Sequence, residues 1–167
     1  MDSKLDSMWQ TYNAVQDGIR HSDSKAEAVV GIVGVVAGIM LSALASPGNM
    51  SFGQRPFLFI LLLLGIVSGS AALYFAIRCL SPTLDVGEPT SLLYFGHIAK
   101  LHDTAQSYQR SVAKVFMDDS DILDHLTSEV WANSKIAWKK FMFVTWAIRL
   151  LVITIFIAFA GILAAAI

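Results

Sequence analysis

Three long segments with almost no charge constrain this 167-residue chain more than any other feature. Residues 28–45 and 56–77 contain no charged side chain, and residues 141–167 contain one, Arg149. As a helix rising about 1.5 Å per residue, each segment is long enough to cross about 30 Å of hydrocarbon. A lone segment in lipid must be helical to satisfy its own backbone. We therefore predict an all-α membrane protein with three transmembrane helices.

The distribution of basic residues predicts how the chain is oriented. Three of them precede the first span, only Arg55 lies in the 46–55 loop, and the other eight lie from Arg78 to Arg149. Because cytoplasmic segments carry an excess of Lys and Arg, we expect a cytoplasmic N-terminus and central region and an external C-terminus. The first apolar run follows a mixed, acid-containing segment with no cleavage site, so we expect this span to be retained.

These observations divide the chain into six predicted segments. The spans are predicted at 28–45, 56–77 and 141–167. An amphipathic cytoplasmic helix at 1–27 precedes the first span, and an external loop at 46–55 joins the first two spans. A helical cytoplasmic region at 78–140, which would sense a ligand, precedes the third span.

Turn and capping residues subdivide the central region. After a breaker-rich stretch, residues 91–98 are apolar and suit either an extended or a helical conformation. The spacing of Asp103 and Gln106 is that of a capping-box variant and predicts a helix that ends near Met117. The acidic cluster at 118–121 favours a second helix start, and that helix can run unbroken into the last span.

The chain has no pattern typical of metal binding or catalysis. His21, His97, His102 and His125 form no pair four residues apart and have no neighbouring cysteine, and Cys79 is the single cysteine. No Gly-rich phosphate loop, G-x-S-x-G elbow or nucleophile with a base is present. We therefore expect no metal, no cofactor, no catalytic residue and no enzyme activity.

The N-terminal helix carries an apolar and a polar stripe. The apolar stripe is Leu5, Met8, Tyr12, Val15, Ile19 and Ala26, and the polar stripe is Asn13, Gln16, Arg20, Asp23 and Glu27. The polar stripe fits two interpretations. It is either the solvated face of an amphipathic helix or a binding surface at the membrane mouth.

A related pattern precedes the third span. The predicted apolar stripe there is Ile122, Leu126, Val130, Ala137 and Phe141. Asn133 falls within it, and Lys140 lies seven residues further on the same face. Asn133 would either form a hydrogen bond with a neighbouring helix or contact a ligand. Lys140 would either anchor the span at the lipid headgroups or contact a ligand. If the two helices pack together, Arg20, Lys25 and Lys140 form a basic pocket rimmed by Asp23 and Asn133, suited to a small anion that carries a base or sugar.

Three short blocks resemble the membrane effector family of Pycsar antiphage systems. They are RHSDSKA at 20–26, SLLYFGHI at 91–98 and NSKIAWKKF at 133–141, and they occur in the family's order along nearly the whole chain. Asp23 and Lys25 belong to the most specific block. Ser24 stands where a threonine is expected, and Phe141 where a tyrosine is common.

The resemblance implies an effector in the bacterial inner membrane that senses cyclic CMP or cyclic UMP made by a partner cyclase. Damage to that membrane would stop the infected cell before the phage spreads, which is abortive infection. We expect no nucleic-acid partner. The chain has no separate nucleotide-binding domain, so the cytoplasmic helices would form the messenger site. The positions that match family blocks are Asp23, Lys25, Tyr94, Phe95, Gly96, Asn133 and Lys140.

Roles for these residues follow from their chemistry. Arg or Lys, with backbone amides near Gly96, would hold a cyclic phosphate, and Asn133 would read a base edge. Tyr94 or Phe95 would stack on the ring, although such a pair near a membrane also serves as an interfacial anchor or a core pair.

Three spans cannot enclose a pore alone, so we expect a homo-oligomer. Gly34 and Gly38 in the first span, and Gly65 and Gly69 in the second, have small-residue spacing that suits packing within one protomer or between protomers. The alternatives to a sensing effector are a constitutive holin-like pore and a membrane accessory subunit. The long region at 78–140 argues against the holin.

Overall fold

The structure is a computed structural model that describes residues 2–45, 56–81, 92 and 95–166. Within these residues it contains helices and no strand. The helices are α1 (Asp2–Ala45), α2 (Pro56–Leu80), α3 (Phe95–Leu101), α4 (Ala105–Val115) and α5 (Asp119–Ala166). Three of them, α1, α2 and α5, are long and apolar enough to cross a membrane. The predicted all-α class with three such helices is confirmed, whereas the predicted external loop at 46–55 lies outside the described residues.

Helix α5 is continuous for 48 residues. No proline lies within it, and its first glycine is Gly161. At its start, Asp118 Oδ1 accepts a hydrogen bond of 2.9 Å from the Ser120 backbone N–H. The hydrogen bonds from Ser120 favour the charged carboxylate and lower the pKa of Asp118. The prediction that one helix runs from the acidic cluster into the last span is confirmed.

Short helices occupy the region between α2 and α5. The sequence left residues 91–98 open to either an extended or a helical conformation, and in the structure the part from Phe95 onward is helical. Helix α4 begins one residue later than the capping pattern predicts, because Thr104 and not Asp103 is the N-cap. Its side chain accepts a hydrogen bond from the Ser107 N–H at 3.2 Å. The helix ends at Val115, close to the predicted end.

Contacts divide the chain into two compact units. The first unit comprises residues 1–21 and 82–139. Its described buried residues include apolar side chains from α5 and three polar ones: Leu92, His97, Ile122, Leu126, Glu129, Asn133 and Ile136. The polar members are unusual for a helical core, since buried polar groups need hydrogen-bond partners.

The second unit comprises residues 22–81 and 140–167 and contains the spans. Small side chains dominate its core: Ala26, Val29, Ala72, Ala76, Cys79, Val144, Ala147 and Leu151. Small residues allow helix backbones to approach closely, which favours packing in lipid where burial of apolar surface contributes little. Ser68 Oγ and Thr154 Oγ1 lie 2.9 Å apart and form a buried hydrogen bond between α2 and α5.

The outer surface of the spans is apolar. In the most apolar window of each long helix, only 17% to 22% of the residues are buried. Large side chains such as Val35, Leu63 and Phe156 are more than half exposed. An apolar surface of this kind would be costly in water and is favourable against lipid or another chain.

Candidate functional site

Three of the polar side chains buried on α5, those of Glu129, Asn133 and Lys140, belong to two clusters, one in each compact unit. The carboxylate–amide pair consists of Glu129 and Asn133 in the first unit. The ion-pair cluster consists of Asp23, Cys79 and Lys140 in the second.

The ion-pair cluster joins three helices. Lys140 Nζ donates to Asp23 Oδ1 at 2.5 Å, and the two side chains are 10% and 32% exposed. The thiol of Cys79, on α2, lies 4.0 Å from the same carboxylate oxygen and 3.7 Å from the Ser22 carbonyl. Because Asp23 already balances the charge of Lys140, an anion at this lysine has to displace the carboxylate or share the ammonium with it.

Local helix geometry places these side chains together. Asp23 lies between the buried positions Ser22 and Ala26 on α1, and Lys140 lies four residues before the buried Val144 on α5. Three- and four-residue spacing keeps such positions on one helix face. The long aliphatic stem of Lys140 can pack in this core while its ammonium reaches the carboxylate.

The carboxylate–amide pair lies on one face of α5, one turn apart. Asn133 Nδ2 donates to Glu129 Oε1 at 3.1 Å. Both side chains are enclosed, with Glu129 2% and Asn133 3% exposed. The second carboxylate oxygen, Glu129 Oε2, is buried without a hydrogen-bond partner in the described part of the chain.

Glu129 was missed by the sequence reasoning because the predicted stripe followed different positions. Phe141, a predicted member, is 53% exposed. The buried face instead passes through Ile122, Leu126, Glu129, Asn133, Ile136 and Lys140. Alternating steps of four and three residues define this face, as in packed helices generally. Those steps, together with the four-residue spacing from Asn133, could have identified Glu129.

Comparison with known families decides the identity of the chain. A sequence model of the PycTM family, described as the Pycsar effector protein domain, matches residues 7–167. The chain belongs to the Pycsar effector family. The predicted resemblance is therefore confirmed over nearly the whole sequence. No curated protein and no solved structure matches the chain.

Membership of the Pycsar effector family fixes the coarse character of the protein. It identifies an antiphage membrane effector and implies a signal derived from a cyclase. The three long apolar helices agree with a membrane protein. The family is not a class of enzymes. Within the residues that the structure describes, no group of His, Cys, Asp and Glu is arranged to hold a metal ion.

The other predicted site residues of this Pycsar effector are distributed differently. Arg20 is exposed and lies 3.7 Å from Asp17 on its own helix. Lys25 is exposed on α1, and Gly96 is partly buried on α3. Tyr94 lies outside the described residues, and Phe95 is described only as the first residue of α3.

The structure thus brings Asp23 to Lys140 and leaves Arg20 and Lys25 on the surface. Asn133 instead contacts Glu129, a residue outside the predicted set. The predicted basic pocket combines residues of both compact units and stays a prediction.

The two glycine pairs of the Pycsar effector differ in their surroundings. A Cβ atom at Gly65 would lie 2.6 Å from the Met40 methyl group, and one at Gly69 would lie 3.5 Å from Thr154 Cγ2. A Cβ atom at Gly34 or Gly38 would have nothing within 4 Å in the described structure. The pair in the second span therefore packs within the protomer, whereas the pair in the first span is open.

Proposed function

We propose that this Pycsar effector binds cyclic CMP or cyclic UMP through cytoplasmic helices and then disrupts the bacterial inner membrane as a homo-oligomer. The partner cyclase would supply the messenger on infection, and loss of the membrane barrier would halt the infected cell. The family match over residues 7–167 carries the proposal.

The properties of the spans support membrane disruption by an assembly. Small side chains fill the described core of α1, α2 and α5, so a path for ions has to form between copies. Most of the apolar surface of each span is available to lipid or to another copy. Transmembrane helices associate by close packing and by hydrogen bonds between helices, both of which such a surface can supply.

The ion-pair cluster of the second unit supports a messenger site where α1 and α5 meet before their apolar runs. Lys140 holds a positive charge in a mostly enclosed position, where a cyclic phosphate can compete with the Asp23 carboxylate for its ammonium. Such competition would weaken the contact between α1 and α5. A messenger drives this change only if it binds the open arrangement more tightly than the paired one.

The proposed orientation places both polar clusters at the cytoplasmic side. The N-terminus and the region before the third span would be cytoplasmic, because they carry most of the basic residues. The partner cyclase would release its product into the same compartment.

The test is thermal stabilisation of the detergent-purified protein by a panel of cyclic mononucleotides and cyclic dinucleotides. A ligand that binds only the folded state raises the apparent melting temperature in a saturable way. We expect this rise with a cyclic pyrimidine mononucleotide. The same nucleotide should release dye from vesicles that contain the protein.

Lys140→Met is the variant for this test, and Lys139→Met is its matched control, because Lys139 is an exposed lysine one residue away. We expect Lys140→Met to abolish the nucleotide-dependent shift and Lys139→Met to keep it. If no cyclic nucleotide stabilises the wild-type protein, sensing is wrong and the chain is an ungated pore or an accessory subunit. If both variants keep the shift, Lys140 does not bind the messenger.

A further inference from the structure

Among the described residues, Glu129 is the one acidic residue with a buried side chain. Its side chain is 2% exposed, and Oε2 has no hydrogen-bond partner in the described residues. Enclosing a carboxylate oxygen without a donor is costly, and natural cores rarely retain such a group. A leucine or glutamine at this position would avoid that cost. The buried carboxylate therefore requires a donor that the described residues do not supply.

Cations of the same compact unit are engaged elsewhere. Lys135 Nζ lies 4.8 Å from the centre of the Trp131 ring, on the exposed side of α5. Arg20 is exposed beside Asp17. Neither of these two contacts involves Glu129.

Asn133 fixes the direction of this carboxylate. Its Nδ2 donates to Oε1 at 3.1 Å, which occupies one oxygen and leaves the other as an oriented acceptor. A charged carboxylate has acceptor sites only, so the missing partner must supply N–H or O–H groups. Asn133 is a positioning residue in this arrangement.

We propose that Glu129 Oε2 reads the base of the messenger by accepting a hydrogen bond from the exocyclic amine of cytosine. This inference rests on the proposed function and adds a preference for cyclic CMP over cyclic UMP. Carboxylates pair with the N4 amine of cytosine in known readout of bases. Uracil has a carbonyl oxygen at that position, which would oppose a second acceptor.

Glu129→Gln is the decisive variant, because it keeps the shape and replaces Oε2 by an amide NH₂. Affinities for cyclic CMP and cyclic UMP are measured by calorimetry on the detergent-purified full chain. We expect the wild type to prefer cyclic CMP by about 10-fold or more, the usual scale for a hydrogen bond to a charged group. Glu129→Gln should lose or invert this preference, since its NH₂ can donate to the uracil carbonyl.

The matched control is Asp124→Asn, which removes an exposed carboxylate from the same helix and should leave the preference unchanged. Without nucleotide, we expect Glu129→Gln to melt no lower than the wild type, because the variant removes an unpartnered buried charge. A purely structural role for Glu129 predicts the opposite, a lower melting temperature with an unchanged ratio of affinities.

A measurement on the wild-type chain makes the test independent of how well the variant folds. The cyclic phosphate of the pyrimidin-2-one ribonucleoside lacks the exocyclic amine and adds no bulk. We expect it to bind at least about 10-fold more weakly than cyclic CMP. Equal binding of the two nucleotides, or an unchanged preference in Glu129→Gln, overturns the inference and leaves the proposed function intact. If the wild type binds no cyclic pyrimidine nucleotide, the proposed function itself fails.

Discussion

At the scale of single residues, the contact of Lys140 with Asp23 has the largest expected effect on both stability and function. The ammonium is nearly enclosed and the carboxylate is about one-third exposed, at 10% and 32%. Removing charges from water is expensive, and their mutual attraction offsets that cost only while both partners remain. Removing either side chain should therefore lower the free energy of unfolding by more than the intact pair contributes to it.

We expect Lys140→Ala to lower the free energy of unfolding of the detergent-solubilised protein by about 2 kcal/mol, below the range for fully enclosed pairs because Asp23 is partly exposed. Asp23→Ala should act in the same direction. The double variant should be more stable than the sum of the two losses predicts, as measured in a double-mutant cycle. Strict additivity would contradict a direct interaction between the two side chains.

The same variants address activity. We predict that Lys140→Ala abolishes messenger-induced toxicity in cells, whereas Asp23→Ala, which removes the carboxylate that competes with the messenger, lowers the messenger concentration needed for toxicity. Both proteins should still insert and accumulate. The stability cycle makes this result interpretable. If a double variant recovers stability and remains non-toxic, the charges act in sensing, whereas loss of accumulation in both single variants indicates a structural role alone.

At the scale of helices, the glycines of α2 allow close packing that those of α1 do not need. Gly65 lies against Met40, and a cavity of about 260 Å³ adjoins this contact between α1 and α2. Gly38 has no such neighbour in the described structure. The two glycines therefore provide a matched pair. Replacing either one by leucine changes helix propensity by the same amount, whereas the new side chain meets a neighbouring residue only at Gly65.

We predict that Gly65→Leu destabilises the protein by about 1 kcal/mol, the low end of the cost of overfilling a packed contact, because the flexible Met40 side chain can move and the adjoining cavity takes up part of the added volume. Gly38→Leu should change the melting temperature little. Adding Met40→Ala to Gly65→Leu should recover part of the loss, because it removes the methyl group that the new side chain meets. Equal destabilisation by the two leucine substitutions would show that Gly65 is no more tightly packed than Gly38.

At the scale of the whole molecule, three helices that each cross the membrane would place residues 2 and 166 on opposite sides of it. The positive-inside rule then predicts a cytoplasmic N-terminus and an external C-terminus. The orientation matters for function because a cytoplasmic messenger reaches only the polar regions on that side.

We expect alkaline phosphatase fused after residue 167 to be active and the same enzyme fused after Ser81 to be inactive, since it folds only outside the cytoplasm. A green fluorescent protein fusion should show the reverse pattern. An active phosphatase at Ser81 would invert the predicted topology and remove both polar clusters from contact with a cytoplasmic messenger.

The sequence by itself determined the class of fold and the family. Uncharged segments of this length must be helical in lipid, so the three long apolar helices followed from composition and length. The start of α4 was predicted to within one residue. The difference arises because both Asp103 and Thr104 can cap a helix, and the backbone angles of the structure select Thr104. The blocks around Asp23, Gly96 and Asn133 predicted the family, and the family match over residues 7–167 confirms that prediction.

Only the tertiary structure decided which polar side chains are enclosed and what they contact. Lys140 and Asp23 are 117 residues apart in the chain, and no periodicity within one helix can predict that they meet. Arg20 and Lys25 have the same charge as Lys140 yet lie exposed, because their positions on α1 face away from the packed side. Glu129 is hydrophilic in isolation, and its burial arises from the face of α5 that packs. Helical spacing specifies which residues share a face, but only the packing of distant helices determines which face leaves the water.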